Sequence, residues 1–286
     1  MDLDSNKRKF KFFVCFWAVL IFLSCTSRPG MAKCPTRMGS IFPPDHFSVI
    51  ARRGSVSKFP ENTIPAFQEA LNVDGANALE ADLSLTKDGK VVLWHDWDPN
   101  SPMARARQEK GEPVEKFKPS GPSLEESRWE KKVCELTLAE FTDHYGYEDK
   151  ITRTKADVKI PTFQDLIEWA TRQDKLKLLL LKLRVPVDES RLVPVMLEEI
   201  RRTLGSIDPA PRFQFILLTP HKEILNRVRN QFDEFLFSYD RELPPVGVIN
   251  YRRFTTIPTA MTFKNSFAGL GFPAHVGLPD HPTPDP

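Results

Sequence analysis

Residues 176–183, LKLLLLKL, hold six leucines and two lysines. A strand with one face in water alternates polar and apolar side chains, so a run without that alternation has to be covered on both faces. Strands of this kind belong to parallel sheets, whose crossover helices lie against the sheet. The rest of the chain supplies such helices. Strands are expected at 47–51, 78–86, 91–94, 176–183, 213–218 and 235–239, and helices at 63–73, 137–144, 161–172, 187–204 and 220–231. At least six strand–helix units fit a (β/α)8 TIM barrel of parallel strands better than a small doubly wound sheet. The polar stretch 97–135, rich in Pro and charge and without a clear period, reads as a surface loop of functional interest. Beyond Tyr251 the pattern gives one late strand near 267–270, so either the last repeat is abbreviated or the chain is a truncated relative. The barrel domain is placed at 47–272, with a disordered Pro-rich tail at 273–286.

The N-terminus differs in kind. Lys7, Arg8, Lys9 and Lys11 precede an uncharged run, 12–24, that is too short for a span of roughly 20 residues. A positive flank before a short apolar core is the layout of an export leader, here residues 1–25, followed by a linker at 26–46. Phe22-Leu23-Ser24-Cys25 resembles a bacterial lipoprotein cleavage box with Cys25 as the lipidated residue; a plain secretory signal and an uncleaved anchor are the alternatives. The chain is therefore expected to be exported, in the cell envelope or secreted, and to meet the membrane surface through its leader. A net charge of +2 without a basic stripe gives nucleic-acid binding no support. Cys34 and Cys134 could pair in an oxidising compartment, and no Cys/His spacing suggests zinc.

The stretch ALEADLSLT, 78–86, sets Glu80 and Asp82 two residues apart on a strand, hence on one face. Two carboxylates side by side repel unless a cation lies between them, and a hard divalent ion such as Ca²⁺ or Mg²⁺ prefers such oxygens. His95 has the proton affinity for acid or base work, and the Arg53 fork suits a phosphate.

Together, Arg53-Gly54, Pro60-Glu61-Asn62-Thr63, Glu80, Asp82, Thr86, Asp88-Gly89 and His95-Asp96 stand in the order and spacing of the glycerophosphodiester phosphodiesterase family, which this chain resembles. The resemblance implies a TIM barrel and a metal-dependent hydrolase releasing an alcohol and glycerol 3-phosphate from glycerophosphodiesters. By position, Glu80 and Asp82 would hold the metal, His95 would transfer a proton, Arg53 would bind the phosphoryl oxygens, and Glu61 and Asn62 would line or brace the rim.

Two positions depart from the family. Arg52 stands where the family has a first His, and arginine cannot accept a proton at ordinary pH. Lys182 stands where the family has an acid that completes the metal site, with Arg184 at the family's lysine. An ammonium 4 Å from a divalent ion costs about 8 kcal/mol at an effective dielectric of 20. Arg52 and Lys182 could instead neutralise Glu80 and Asp82 without a metal, leaving a catalytically inactive phosphodiester-binding surface protein as the alternative to a hydrolase.

Overall fold

A computed structural model describes residues 48–208, 210–239 and 248–250. Six parallel strands form one continuous sheet: β1 (Ser48–Arg52), β2 (Ala78–Leu85), β6 (Leu178–Leu183), β7 (Gln214–Thr219), β8 (Phe237–Tyr239) and β9 (Val248–Asn250). Their order is β8-β7-β6-β2-β1-β9. Among the described residues each parallel strand from β1 to β8 lies beside the next in sequence, and β9 pairs with β1 on its other side. The fold is thus α/β with a parallel sheet. Between the strands run α1 (Ile64–Asn72), α4 (Phe163–Ala170), α5 (Val193–Ser206) and α6 (Lys222–Val228). The expected late strand at 267–270, the tail and the leader lie outside the described residues.

Side chains on these strands alternate between two apolar environments. Leu79, Ala81, Leu83 and Leu85 of β2, with Leu179, Leu181 and Leu183 of β6, join the helices in one large core. Ile50, Ala78, Leu178, Leu180, Ile216 and Leu218 form a second cluster on the opposite sheet face. Burial on both faces is what LKLLLLKL requires.

One hairpin departs from the parallel plan. β3 (Val91–Leu93) runs antiparallel to β2, with Leu83 opposite Leu93. The turn between them is short: Thr86 Oγ1 donates to Asp88 Oδ1 at 2.7 Å, and Gly89 takes φ 75°. Two strands joined by so few residues have to be antiparallel.

Residues 97–135 are not one irregular loop. They hold α2 (Pro102–Lys110), β4 (Phe117–Ser120) and two 3₁₀ turns, and β4 pairs with β5 (Gly146–Asp149) across α3 (Leu138–His144). This satellite has its own core around Trp94, Phe141, Tyr145 and Tyr147. Cys134 within it carries a free thiol that donates to Glu189 at 3.2 Å, and burial pushes it up to about 12. Its proposed partner Cys34 is outside the described residues.

The turn leaving β1 depends on Gly54, at φ 85°, where a Cβ would meet the backbone carbon and the Cβ of Ala66, each at 2.7 Å. Gly54→Ala is expected to lose about 3 kcal/mol in urea unfolding, from strain plus overlap with the first turn of α1. A loss under 1 kcal/mol would show that β1 and α1 separate easily.

Candidate active site

The second apolar cluster continues upward into charge. Along the same face, Ile50 is followed by Arg52, Ala78 by Glu80 and then Asp82, and Leu180 by Lys182. Register aligns Arg52 with Glu80 across β1 and β2, and Asp82 with Lys182 across β2 and β6. Strand periodicity and register thus bring two carboxylates and two cations together at the end of β1, the middle of β2 and the last residues of β6.

The cations are used. Arg52 Nε donates to Glu80 Oε1 at 3.1 Å. Asp82 is fully buried, and Arg53 Nε lies 2.8 Å from its Oδ2; the N–H is not aimed at that oxygen, so the contact is an ion pair. Asn62 holds Asp82 twice: its Nδ2 donates to Oδ2 at 3.1 Å, and its Oδ1 accepts from the Asp82 amide at 3.0 Å. Both Arg53 and Asn62 sit in the left-handed region, at φ 59° and 56°. Strained backbone of this sort persists where surrounding contacts over-determine it. Here Arg53 N donates to Glu80 O at 2.8 Å and Asn62 N to Arg53 O at 2.9 Å. Thr63 then caps α1, accepting from Ala66 N at 3.4 Å, with Pro65 in the first turn. The Pro60–Thr63 motif is therefore a bracket for Asp82.

Burial opposes the Asp82 charge, yet the guanidinium groups, Arg53 first, then Arg184 and Arg52, hold the carboxyl well below the usual range. Arg184 Nε is 3.9 Å from Asp82 Oδ1 and donates to His95 O at 2.8 Å. Glu61 Oε2 accepts from Arg53 Nη1 at 2.7 Å. Arg53, assigned to phosphoryl oxygens by the resemblance, is only 2% exposed and ringed by Glu61, Asp82 and Glu112. Glu61 and Asn62 are likewise buried and turned to Arg53, Arg107 and Asp82.

His95 arrives from the antiparallel β3, not from the end of a parallel strand. Trp94 N donates to Asp82 O at 3.1 Å, which sets the following imidazole beside the carboxylates. Its Nδ1 lies 2.6 Å from Asp96 Oδ1. Burial, with Arg53 the largest charge effect, holds the imidazole well below its ordinary value, so it is neutral near pH 7. Burial raises Asp96 to about 6 and Glu115, also crowded by Glu61, to about 7.

Sequence reading missed Arg107. From α2 it donates to Asp96 Oδ2 at 2.5 Å and to Glu61 Oε1, and stands 3.5 Å from Glu112. Helix α2 lacks an apolar stripe, so periodicity is silent. Its boundary signals were nonetheless present: Ser101 caps it, Pro102 opens it, and Gly111 ends it at φ 66°.

The divalent ion implied by the resemblance does not fit these residues. Among the described residues no group of three or more His, Cys, Asp and Glu is arranged to hold a metal ion. Asp82 Oδ1 has no hydrogen-bond partner, but one open oxygen is far from the six or more that calcium takes. Glu80 and Asp82 already face Arg52, Arg53 and Arg184.

The sequence model described as "Glycerophosphoryl diester phosphodiesterase family" matches residues 53–239. The uncharacterized protein YqiK of Bacillus subtilis (strain 168) is 27% identical over 126 residues, 44% of this chain and 41% of YqiK. A glycerophosphodiester phosphodiesterase of Caldanaerobacter subterraneus is 52% identical over 48 residues, 17% of this chain and 19% of that protein. The chain therefore matches less than half the length of these curated relatives. A putative glycerophosphoryl diester phosphodiesterase from Silicibacter pomeroyi DSS-3 aligns at TM-score 0.48 and 22% identity, over 78% of this chain and 73% of that one. An Oleispira antarctica phosphodiesterase, solved with the product sn-glycerol-3-phosphate, aligns at TM-score 0.47 and 20% identity, over 67% of this chain and 65% of that one. The family match runs from the turn that grips Asp82 to the end of β8, so the chain belongs to the glycerophosphoryl diester phosphodiesterase family.

Proposed function

We propose that this rim binds glycerophosphodiesters and hydrolyses them with His95 as its single proton carrier, Arg52, Lys182 and Arg184 meeting the phosphoryl charge in place of a metal ion. The observation that supports this is a neutral, buried imidazole beside Arg53, Arg107 and Arg184, the last 22% exposed, with Arg52 on Glu80 26% exposed. The diester class rests on the family. With Nδ1–H donated to Asp96, Nε2 keeps its lone pair and takes a proton from the attacking water as the water oxygen bonds to phosphorus. The ester P–O bond breaks, and the same imidazolium returns that proton to the departing alkoxide. The guanidinium groups offset charge on the phosphoryl oxygens through this change.

One observation favours a second reading, binding without turnover. Arg52 occupies the place of the family's first His and cannot share the proton work.

The test uses purified protein and glycerophosphocholine, with EDTA, Ca²⁺ or Mg²⁺. Turnover is expected to be indifferent to chelator and to fall about 10²–10⁴-fold in His95→Ala. Turnover only with metal, lost in Glu80→Ala, would overturn the metal-free reading. Binding of glycerol 3-phosphate without turnover would establish the second. Export to the cell envelope through residues 1–25 belongs to the same reading and is supported by the charge and hydropathy of that segment.

A further inference from the structure

We infer that Arg107 is a positioning residue: it holds the Asp96 carboxylate against His95 Nδ1 and so fixes which ring nitrogen is presented to substrate. The inference deepens the hydrolase reading above, on which its catalytic consequence rests.

The argument starts from a conflict at one atom. His95 Nδ1 is 2.6 Å from Asp96 Oδ1 and 2.9 Å from Arg107 Nη1. It can donate to the carboxylate or accept from the guanidinium, but it carries one proton or one lone pair and cannot do both. Which it does depends on the charge of Asp96. Arg107 Nη1 lies 2.5 Å from Asp96 Oδ2, while Nη2 is anchored on Glu61. One planar fork thus ties Asp96 to the bracket that carries Arg53 and Asp82. All these side chains are buried.

While the guanidinium is present, Asp96 is an anion at neutral pH and the nearer partner of Nδ1. Nδ1 then bears the hydrogen, and Nε2 has the lone pair. Without it, burial acts on Asp96 with less opposition, and the carboxyl takes up a proton from solvent. A protonated Asp96 donates to Nδ1, the ring hydrogen moves to Nε2, and the atom that must accept the substrate's proton is occupied. Glu61 loses a counter-charge at the same time, which adds to the pressure on Asp96 to become neutral.

Long-range ¹⁵N–¹H spectra of the imidazoles in the full chain at pH 7.5, assigned with His95→Asn, read this directly. Wild-type His95 is expected as the Nδ1–H tautomer. Arg107→Met is expected to convert it to Nε2–H and to lower kcat at least tenfold with KM little changed. Arg107→Lys, which restores one charged contact to Asp96, is expected to keep the wild-type tautomer. An Arg107→Met protein with the wild-type tautomer overturns the inference. So does wild-type His95 found as Nε2–H, a result that needs no variant to fold. Absent turnover in a wild-type protein with the Nδ1–H tautomer would sink the hydrolase reading and leave the positioning role intact.

Discussion

Arg53→Met is expected to lower the melting temperature by about 10 °C, the largest stability effect of any single change at this site. Arg53 is 2% exposed and faces Glu61 at 2.7 Å and Asp82 at 2.8 Å, both buried. Removing one partner of a buried ion pair leaves the other charge uncompensated and costs about 3–5 kcal/mol. At roughly 2–4 °C per kcal/mol for a domain of this size, that is the shift stated. Methionine fills similar volume, so the loss reports charge rather than a cavity. Asn62 and Arg107 still hold the two carboxylates, which sets the upper bound. Calorimetry decides it. A shift below about 2 °C would mean that Glu61 or Asp82 is neutral in the folded protein and that Arg53 is not what lets them stay charged.

The double variant Arg52→His, Lys182→Asp is expected to turn the rim into a metal site. It removes the guanidinium on Glu80 and replaces the ammonium in register with Asp82 by a third carboxylate. Three carboxylates then converge with no counter-charge from Arg52 or Lys182. Without divalent cation the variant is expected to be less stable than wild type, because like charges at close range repel. With Ca²⁺ or Mg²⁺ at a hundred times its dissociation constant, about 2.7 kcal/mol should return. Wild type should show no such metal-dependent gain. If glycerophosphocholine turnover also appears only in the metal-loaded variant, Arg52 and Lys182 are what hold the wild-type site away from metal chemistry. A variant whose melting temperature ignores metal would show that Arg53 and Arg184 alone neutralise the rim. Those two residues would then be the next to change.

The sequence was most informative where side-chain identity and strand period act together. A two-residue spacing on a strand is enough to place Glu80 and Asp82 on one face, and six leucines in LKLLLLKL are enough to require cover on both sides of that strand. The sequence left open which carboxylate Arg52 meets, and the register of β1 on β2 sets it on Glu80. Periodicity failed in 97–135. Helix α2 is short and polar, and its position is fixed by capping residues and by Arg107 reaching inward rather than by an apolar stripe. Periodicity is also silent on the direction of β3. The spacing predicts 91–94 as one more strand of the parallel plan, whereas the turn at 86–90 folds β3 back along β2 and delivers the His95 imidazole from the side.

By itself, then, the sequence determined the class of fold, the family and the acidic pair, because each depends on local spacing or on a contiguous motif. Only the tertiary structure decided that Arg53 points inward to carboxylates instead of outward to phosphate, and that Arg107, 46 residues beyond Glu61 in sequence, reaches it as a buried side chain from α2. Both outcomes turn on charge balance in a buried volume. That balance is a sum over groups distant in sequence, and no single stretch of chain carries it.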